Sequence, residues 1–229
     1  MVPLSDVVFA YDFDRLTDGG LLYDYGPNGL HATPGVGAAA PTRNLGGSYS
    51  FNGAPQYFSL PLAFYKAAPT AEHIWIARTQ ITSGDCIFSC ENNATLTGYN
   101  LRMLVASVLP WLYNYHLRAG GGLIRYTYPT SIDYFARPIT TILTVETTPR
   151  AMRADVAVSP AWTVGGFVPD TYNTAVQPRI GTLPAGEPGA NPLSGRLYYL
   201  ALLKNAISSA DMAQLSAMLS ESKKPFCYR

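Results

Sequence analysis

Charge is scarce in this chain: Asp, Glu, Lys and Arg make up 14% of its 229 residues, where a soluble domain typically carries about 25%. So few charges cannot cover a free surface, and part of that surface is expected to meet neighbours. An excess of one sign is lacking as well. With 16 Lys plus Arg against 15 Asp plus Glu, nothing pulls the chain as a whole toward nucleic acid, an anionic membrane or an acidic polymer. No apolar run approaches the roughly 20 residues of a membrane-crossing helix. The opening stretch MVPLSDVVFAYDFD has neither a basic n-region nor an apolar h-region, and Asp6 interrupts it early, so no secretory signal is read. The expected compartment is a cytoplasm.

Cysteine is equally sparse. Cys86, Cys90 and Cys227 are an odd number without a CxxC pair, which specifies neither a zinc site nor a disulfide framework. Buried thiols are expected. If CIFSC were one straight strand, Cys86 and Cys90 would share a face roughly 13 Å apart at about 3.3 Å per residue, too far to bridge. A pair involving Cys227 stays open. Asn93-Ala94-Thr95 matches a glycosylation acceptor, read here as a chance match in the absence of a secretory signal.

Catalytic signatures are missing too. There is no GxSxG, HExxH or phosphate-binding glycine loop, and the triple glycine at 120–122 leads into strand-like LIRYTY, as in a hairpin. His31, His73 and His116 are far apart, and only the adjacent Glu72-His73 pair joins a histidine to a carboxylate. Each is read as a structural histidine.

What the chain does contain is 18 Pro, 20 Gly and 16 Tyr, spread along its length, a composition of short strands and tight turns. Alternating or short apolar segments predict strands at 7–13, 49–51, 56–60, 73–78, 86–90 and 100–105. The series continues at 111–117, 123–128, 139–146, 153–158 and 195–203. Eleven such strands imply an antiparallel sandwich or barrel. A helix is predicted over 208–220, with Met212, Leu215 and Leu219 on one face, Ser208 as cap with Asp211 three residues on, and Lys223, Lys224 and Pro225 beyond its end. With no linker and no internal repeat, 1–229 is read as one domain, the helix packing on the opening strand or on LYYLALL and the tail 221–229 left for contacts.

Three stretches, in order, resemble the concanavalin A-like lectin/glucanase superfamily, in particular its laminin G-like and pentraxin-like members. YDFD (11–14) with DYGPNGLHATPG (24–35) is similar to the opening strand and its Asp, Asn-Gly, His turn. SYSFNGAPQYFSLP (48–61) is similar to the "aromatic-Asn-Gly, then a strand" signature, Asn52-Gly53 suiting a turn that needs positive φ. IGTLPAG (180–186) with LSGRLYYLALLKNAISSADMAQL (193–215) resembles the closing strand and short helix. Where members usually carry a Trp-His pair, this chain has FARPITTILTVE (135–146). The resemblance implies an all-β, two-sheet antiparallel jelly roll with one short C-terminal helix.

Enzymes of that superfamily place two carboxylates on alternate positions of one strand, written ExDxxE, about 5 Å apart. The chain has no such array; Asp12 and Asp14 alternate, but on the opening strand, where they are read as capping turns. No catalytic residue is therefore assigned. Relatives often bind calcium in rim loops, and Asp24, Asn28, Asp170 and Asn173 are the residues available. They form no compact DxDxN cluster, and Asx residues in turns commonly bond their own backbone, so no cofactor is expected.

The expected function is a non-catalytic structural or adhesion module of a large assembly, such as a head-decoration or tail/fibre component of a bacteriophage virion assembled in the host cytoplasm. Its partners would be other protein subunits or copies of itself, with neither nucleic acid nor membrane. The alternative is a free carbohydrate-binding module with Trp111, Tyr113, Tyr115 and Trp162 stacking on sugars. The first three alternate on one strand face, and core is the favoured reading of that face. A glycan-active enzyme ranks last.

Overall fold

The computed structural model describes residues 3–16, 20–45, 47–69, 72–83, 86–90, 98, 100–105, 113–119, 122–128, 138–145, 151–153, 156–158, 162–164, 172–184, 192–205 and 207–221. The strands over 102–105, 113–119, 122–128, 151–153, 156–158 and 162–164 are described through their backbone pairing. In chain order, β1 (Val7–Leu16), β2 (Leu22–Asp24), β3 (Thr33–Pro34), β4 (Thr42–Asn44), β5 (Ser48–Asn52) and β6 (Phe58–Ser59) precede a one-turn helix, α1 (Phe64–Ala67). Then come β7 (His73–Ser83), β8 (Cys86–Ser89), β9 (Asn100–Val105), β10 (Tyr113–Ala119), β11 (Gly122–Tyr128) and β12 (Ile139–Val145). The last elements are β13 (Ala151–Arg153), β14 (Val156–Val158), β15 (Trp162–Val164), β16 (Arg179–Ile180), β17 (Ser194–Lys204) and the helix α2 (Ser209–Glu221).

These strands form an all-β sandwich of two antiparallel sheets. One runs β14-β13-β12-β7-β17-β1-β2, with β5 also on β17 and β4 on β5; the other runs β15-β11-β10-β9-β8-β16-β6-β3. Aromatic rings fill the space between them. The Phe9 ring lies 4.9 Å from Tyr11 on its own strand and 5.8 Å from Phe88 on the opposite sheet. Trp75 and Phe88 meet across the gap at 4.9 Å, and Phe13 and Phe58 at 6.0 Å. All six are fully buried or nearly so, and burial of such rings is the largest single source of sandwich stability.

The second apolar layer is on the outside of the nine-stranded sheet. There Met212 and Leu215 of α2 belong to one buried apolar cluster with Ile142 of β12, Ile74 and Ile76 of β7, Ala201 and Leu203 of β17, and Val7 and Ala10 of β1. The helix lies chiefly along β12 and β13 and not, as expected, on the opening strand or LYYLALL, whose outward apolar residues join it only through the shared cluster. Being covered on both faces explains why β12 is buried at all seven positions and why β7 and β17 read as apolar runs. Ser208 Oγ accepts the Asp211 N–H at 3.1 Å and donates to Asp211 Oδ2 at 2.7 Å, fixing the first turn. The same bond holds the Asp211 carboxyl below its usual range.

Some boundaries differ from the sequence reading. The segment 153–158 is not one strand: β13 pairs back on β14, Ala151 opposite Val158, because apolar alternation runs on through the reversal. The strand expected over 111–117 is described from Tyr113, Trp111 and Leu112 lying outside the described residues. Strands β2, β3, β4 and β16 have two or three residues each, too few for a period to show. Cys86 and Cys90 are buried thiols; Cys227 lies outside the described residues. Gly53 has φ +81°, as the Asn-Gly turn requires, with Asn52 Oδ1 accepting the Ala54 N–H at 2.9 Å. Gly195 interrupts β17 at φ +140°, where a Cβ would come within 2.4 Å of the Gln80 carbonyl oxygen.

Candidate functional site

Asp24 and Asn28, two of the candidate cation ligands, are absorbed by the loop that carries them. Asp24 Oδ1 accepts the N–H of Ala10 at 2.9 Å and of Gly26 at 2.7 Å, and Oδ2 accepts that of Leu30 at 2.8 Å. Its own N–H donates to His31 Nδ1 at 3.1 Å, while the Asn28 amide donates to the Val7 and Val8 carbonyls at 3.2 and 2.8 Å. A carboxylate ringed by N–H groups presents the wrong polarity to a cation. Asn173 Oδ1 accepts the Ala175 N–H at 3.1 Å, an Asx turn, and Asp170 lies outside the described residues. Among the described residues no group of three or more His, Cys, Asp or Glu could hold a metal ion. The opening-strand carboxylates are also engaged locally, Asp12 Oδ1 accepting the Asp14 N–H at 3.0 Å.

Polar positions line up across the outer face of the eight-stranded sheet. Phe58, Phe88, Leu101 and Ile180 turn to the core, so their neighbours Ser59, Ser89, Asn100 and Arg179 take the opposite face. Register lines these positions up across six strands: Thr33 with Ser59, Ser59 with Arg179, Arg179 with Ser89, Ser89 with Asn100, and Asn100 with Arg118. The Arg179 guanidinium lies over the Tyr57 ring, 4.0 Å from its centroid. Its Nε is buried without an acceptor among the described residues. Ser89 in this row is fully buried, so the part of the row that solvent reaches is at the Thr33, Ser59 and Arg179 end.

The aromatic residues singled out from sequence do not gather on one face. Trp111 lies outside the described residues. Tyr113 pairs with Val105 and Tyr115 with Met103, two positions in phase with Leu101, the buried partner of Leu117. Trp162 pairs with Arg125, which pairs with His116, so it falls on the opposite face from Tyr113 and Tyr115. Sequence reasoning missed Tyr57 and Arg179, because a two-residue strand has no period to mark its outer position. It also missed Tyr23, which is partly exposed and stacked on His31 with centroids 4.4 Å apart.

No protein-family model and no curated protein sequence matches the chain. Solved structures do share its fold. Domain 4 of AbnA, an extracellular arabinanase of family GH43 from Geobacillus stearothermophilus solved in complex with arabinotriose, is similar over 92% of this chain and 98% of that one, with TM-score 0.59 and 14% identity. The binding domain of botulinum neurotoxin serotype C1 is similar over 95% of this chain and 53% of its own, with TM-score 0.63 and 8% identity. A Trypanosoma rangeli sialidase in complex with sialic acid is similar over 96% of this chain, which spans only 34% of the sialidase, with TM-score 0.60 and 12% identity. At these identities the likeness is one of fold: this chain is a β-sandwich that shares its architecture with these domains.

Proposed function

We infer that the chain is a non-catalytic, lectin-like module that binds glycans. The observation that supports this best is the match, nearly end to end in both chains, to an isolated domain whose structure holds arabinotriose. The concanavalin A-like jelly-roll resemblance belongs to the same reading. Fluorescently tagged protein on a glycan array, followed by calorimetry with the best hit and with arabinotriose, tests it. Saturable retention without release of reducing sugar is expected, and silence across the array would overturn the reading.

A second reading places this module in an assembly, as a display or adhesion subunit of a virion. It is favoured by the low charge content and by fully exposed apolar side chains such as Val36 at 90% and Leu45 at 106% relative exposure, which a neighbouring subunit would cover. Light scattering that finds a lone monomer at all concentrations, with no affinity for any particle, would remove it.

A further inference from the structure

We propose that neutral glycans bind on the outer face of the nine-stranded sheet, at a site built from Tyr198, Gln80, Arg196 and Ser50 beside the helix-covered cluster. This rests on the glycan-binding reading and gives it a site and a ligand class. The site starts at a β-bulge in β17. Leu197, Leu200 and Leu202 all face the core, although strict alternation would send Leu197 and Leu200 to opposite faces. The extra residue is taken up where Leu197 opposes Thr79 and Tyr199 opposes Arg78 on β7, so that Tyr198 and Tyr199 both turn outward. Tyr199 is buried in the apolar cluster it shares with Met212 and Leu215 of α2. Tyr198 is outside that cluster, partly exposed, and its hydroxyl donates to Gln80 Oε1 at 3.1 Å.

The side chains next to Tyr198 are polar and reached by solvent. Register sets Gln80, Arg196, Ser50 and Thr42 opposite one another on β7, β17, β5 and β4, a row of about 14 Å at roughly 4.8 Å per step. Their sequence neighbours Ile81, Leu197, Tyr49 and Phe51 face the core, so the row takes the outer face. Arg196 and Thr42 are exposed, and Gln80 and Ser50 partly so. Gln80 is fixed by the Tyr198 hydroxyl, and Ser50 Oγ by the Asn44 amide, which donates to it at 2.8 Å. Groups held in place before a ligand arrives lose less freedom on binding. Among the described residues none bonds to the Arg196 side chain, so its guanidinium has donors to give. A phenol ring for the apolar face of a sugar, an amide and hydroxyls that both donate and accept, and a guanidinium fork are the groups that a polyol needs. Charge on this face balances. Arg78 opposes Tyr199, which opposes Asp12, and Asp12 and Asp14 flank the core residue Phe13, so two Arg share the face with two Asp. A sugar carboxylate gains nothing from a net field here, and an uncharged glycan is the occupant that fits.

The probes are arabinotriose, cellotriose, lactose and 3′-sialyllactose, with the strongest array hit added, all measured by calorimetry. Arg196→Gln and, independently, Tyr198→Ala should each weaken binding of whichever neutral sugar is held by about tenfold or more, while Tyr198→Phe, which keeps the ring, should lose less. Arg179→Gln, on the other sheet, should bind as the wild type does. Because Arg196 is exposed, Arg196→Gln should keep the wild-type melting temperature, and it carries the test if Tyr198→Ala does not fold. Wild-type affinity in Arg196→Gln or in a folded Tyr198→Ala would overturn the site. Tighter binding of 3′-sialyllactose than of lactose would overturn the neutral class. Either result leaves the lectin reading standing, whereas failure of every glycan, on the array and in solution, would defeat that reading itself.

Discussion

Asp24 shows how much one side chain can organise. It is buried to 2% exposure, and its two oxygens satisfy three backbone N–H groups from β1 and from the loop after β2. Replacing it with Ala would leave those donors buried without partners, at about 1–3 kcal/mol for each unsatisfied group. Asp24→Ala should therefore lower stability by about 3 kcal/mol or more in urea unfolding, and Asp24→Asn by less, since one acceptor oxygen is kept. Wild-type stability in Asp24→Ala would show that the loop does not depend on the clamp. The residues of this clamp were legible in DYGPNGLHATPG as a turn. What the turn bonds was not: Ala10, Val7 and Val8 are supplied by another strand, 14 to 21 residues away. The same limit applied to Trp162, whose face depends on Arg125 of β11 and His116 of β10 and on nothing in its own neighbourhood.

Among the elements, α2 was the most legible, because its cap, its apolar stripe and the charges and proline beyond it are all local signals. Its partner strands were not: the expected seat on the opening strand or LYYLALL is in fact chiefly β12 and β13, because strand order in the sheet sets what lies under the helix. Leu215 is 7% exposed against that surface. Leu→Ala in a packed site costs about 2–5 kcal/mol, and for this nearly buried position a loss of about 2 kcal/mol is expected in the isolated protein. If Leu215→Ala unfolds like the wild type but no longer associates, the helix serves an interface and not the sandwich. The four-residue α1 escaped detection. It has no side-chain cap, and what holds it is Phe64, fully buried with its ring 5.6 Å from Phe88.

For the whole molecule, the two sheets are tied by one aromatic core and by strands that return to the same sheet after long excursions: β1 pairs with β17, and β7 with both β17 and β12. The expectation that the chain unfolds as one domain follows from this, since neither sheet can keep its inner face dry without the other. Indole fluorescence, with Trp75 buried in that core, and far-UV circular dichroism should give coincident urea transitions, and two separated midpoints would show independent units. The sequence alone determined the class of the fold, because period-two alternation, turn residues and a capped amphipathic helix are signals between near neighbours along the chain. Strand order, the side of the sandwich that α2 covers and the gathering of Arg102, His116, Arg125 and Trp162 into one row were decided by tertiary structure. Register between strands distant in the chain, Val7 opposite Leu203 and Arg125 opposite Trp162, sets them, and register comes from packing two sheets around shared rings, which no single segment encodes.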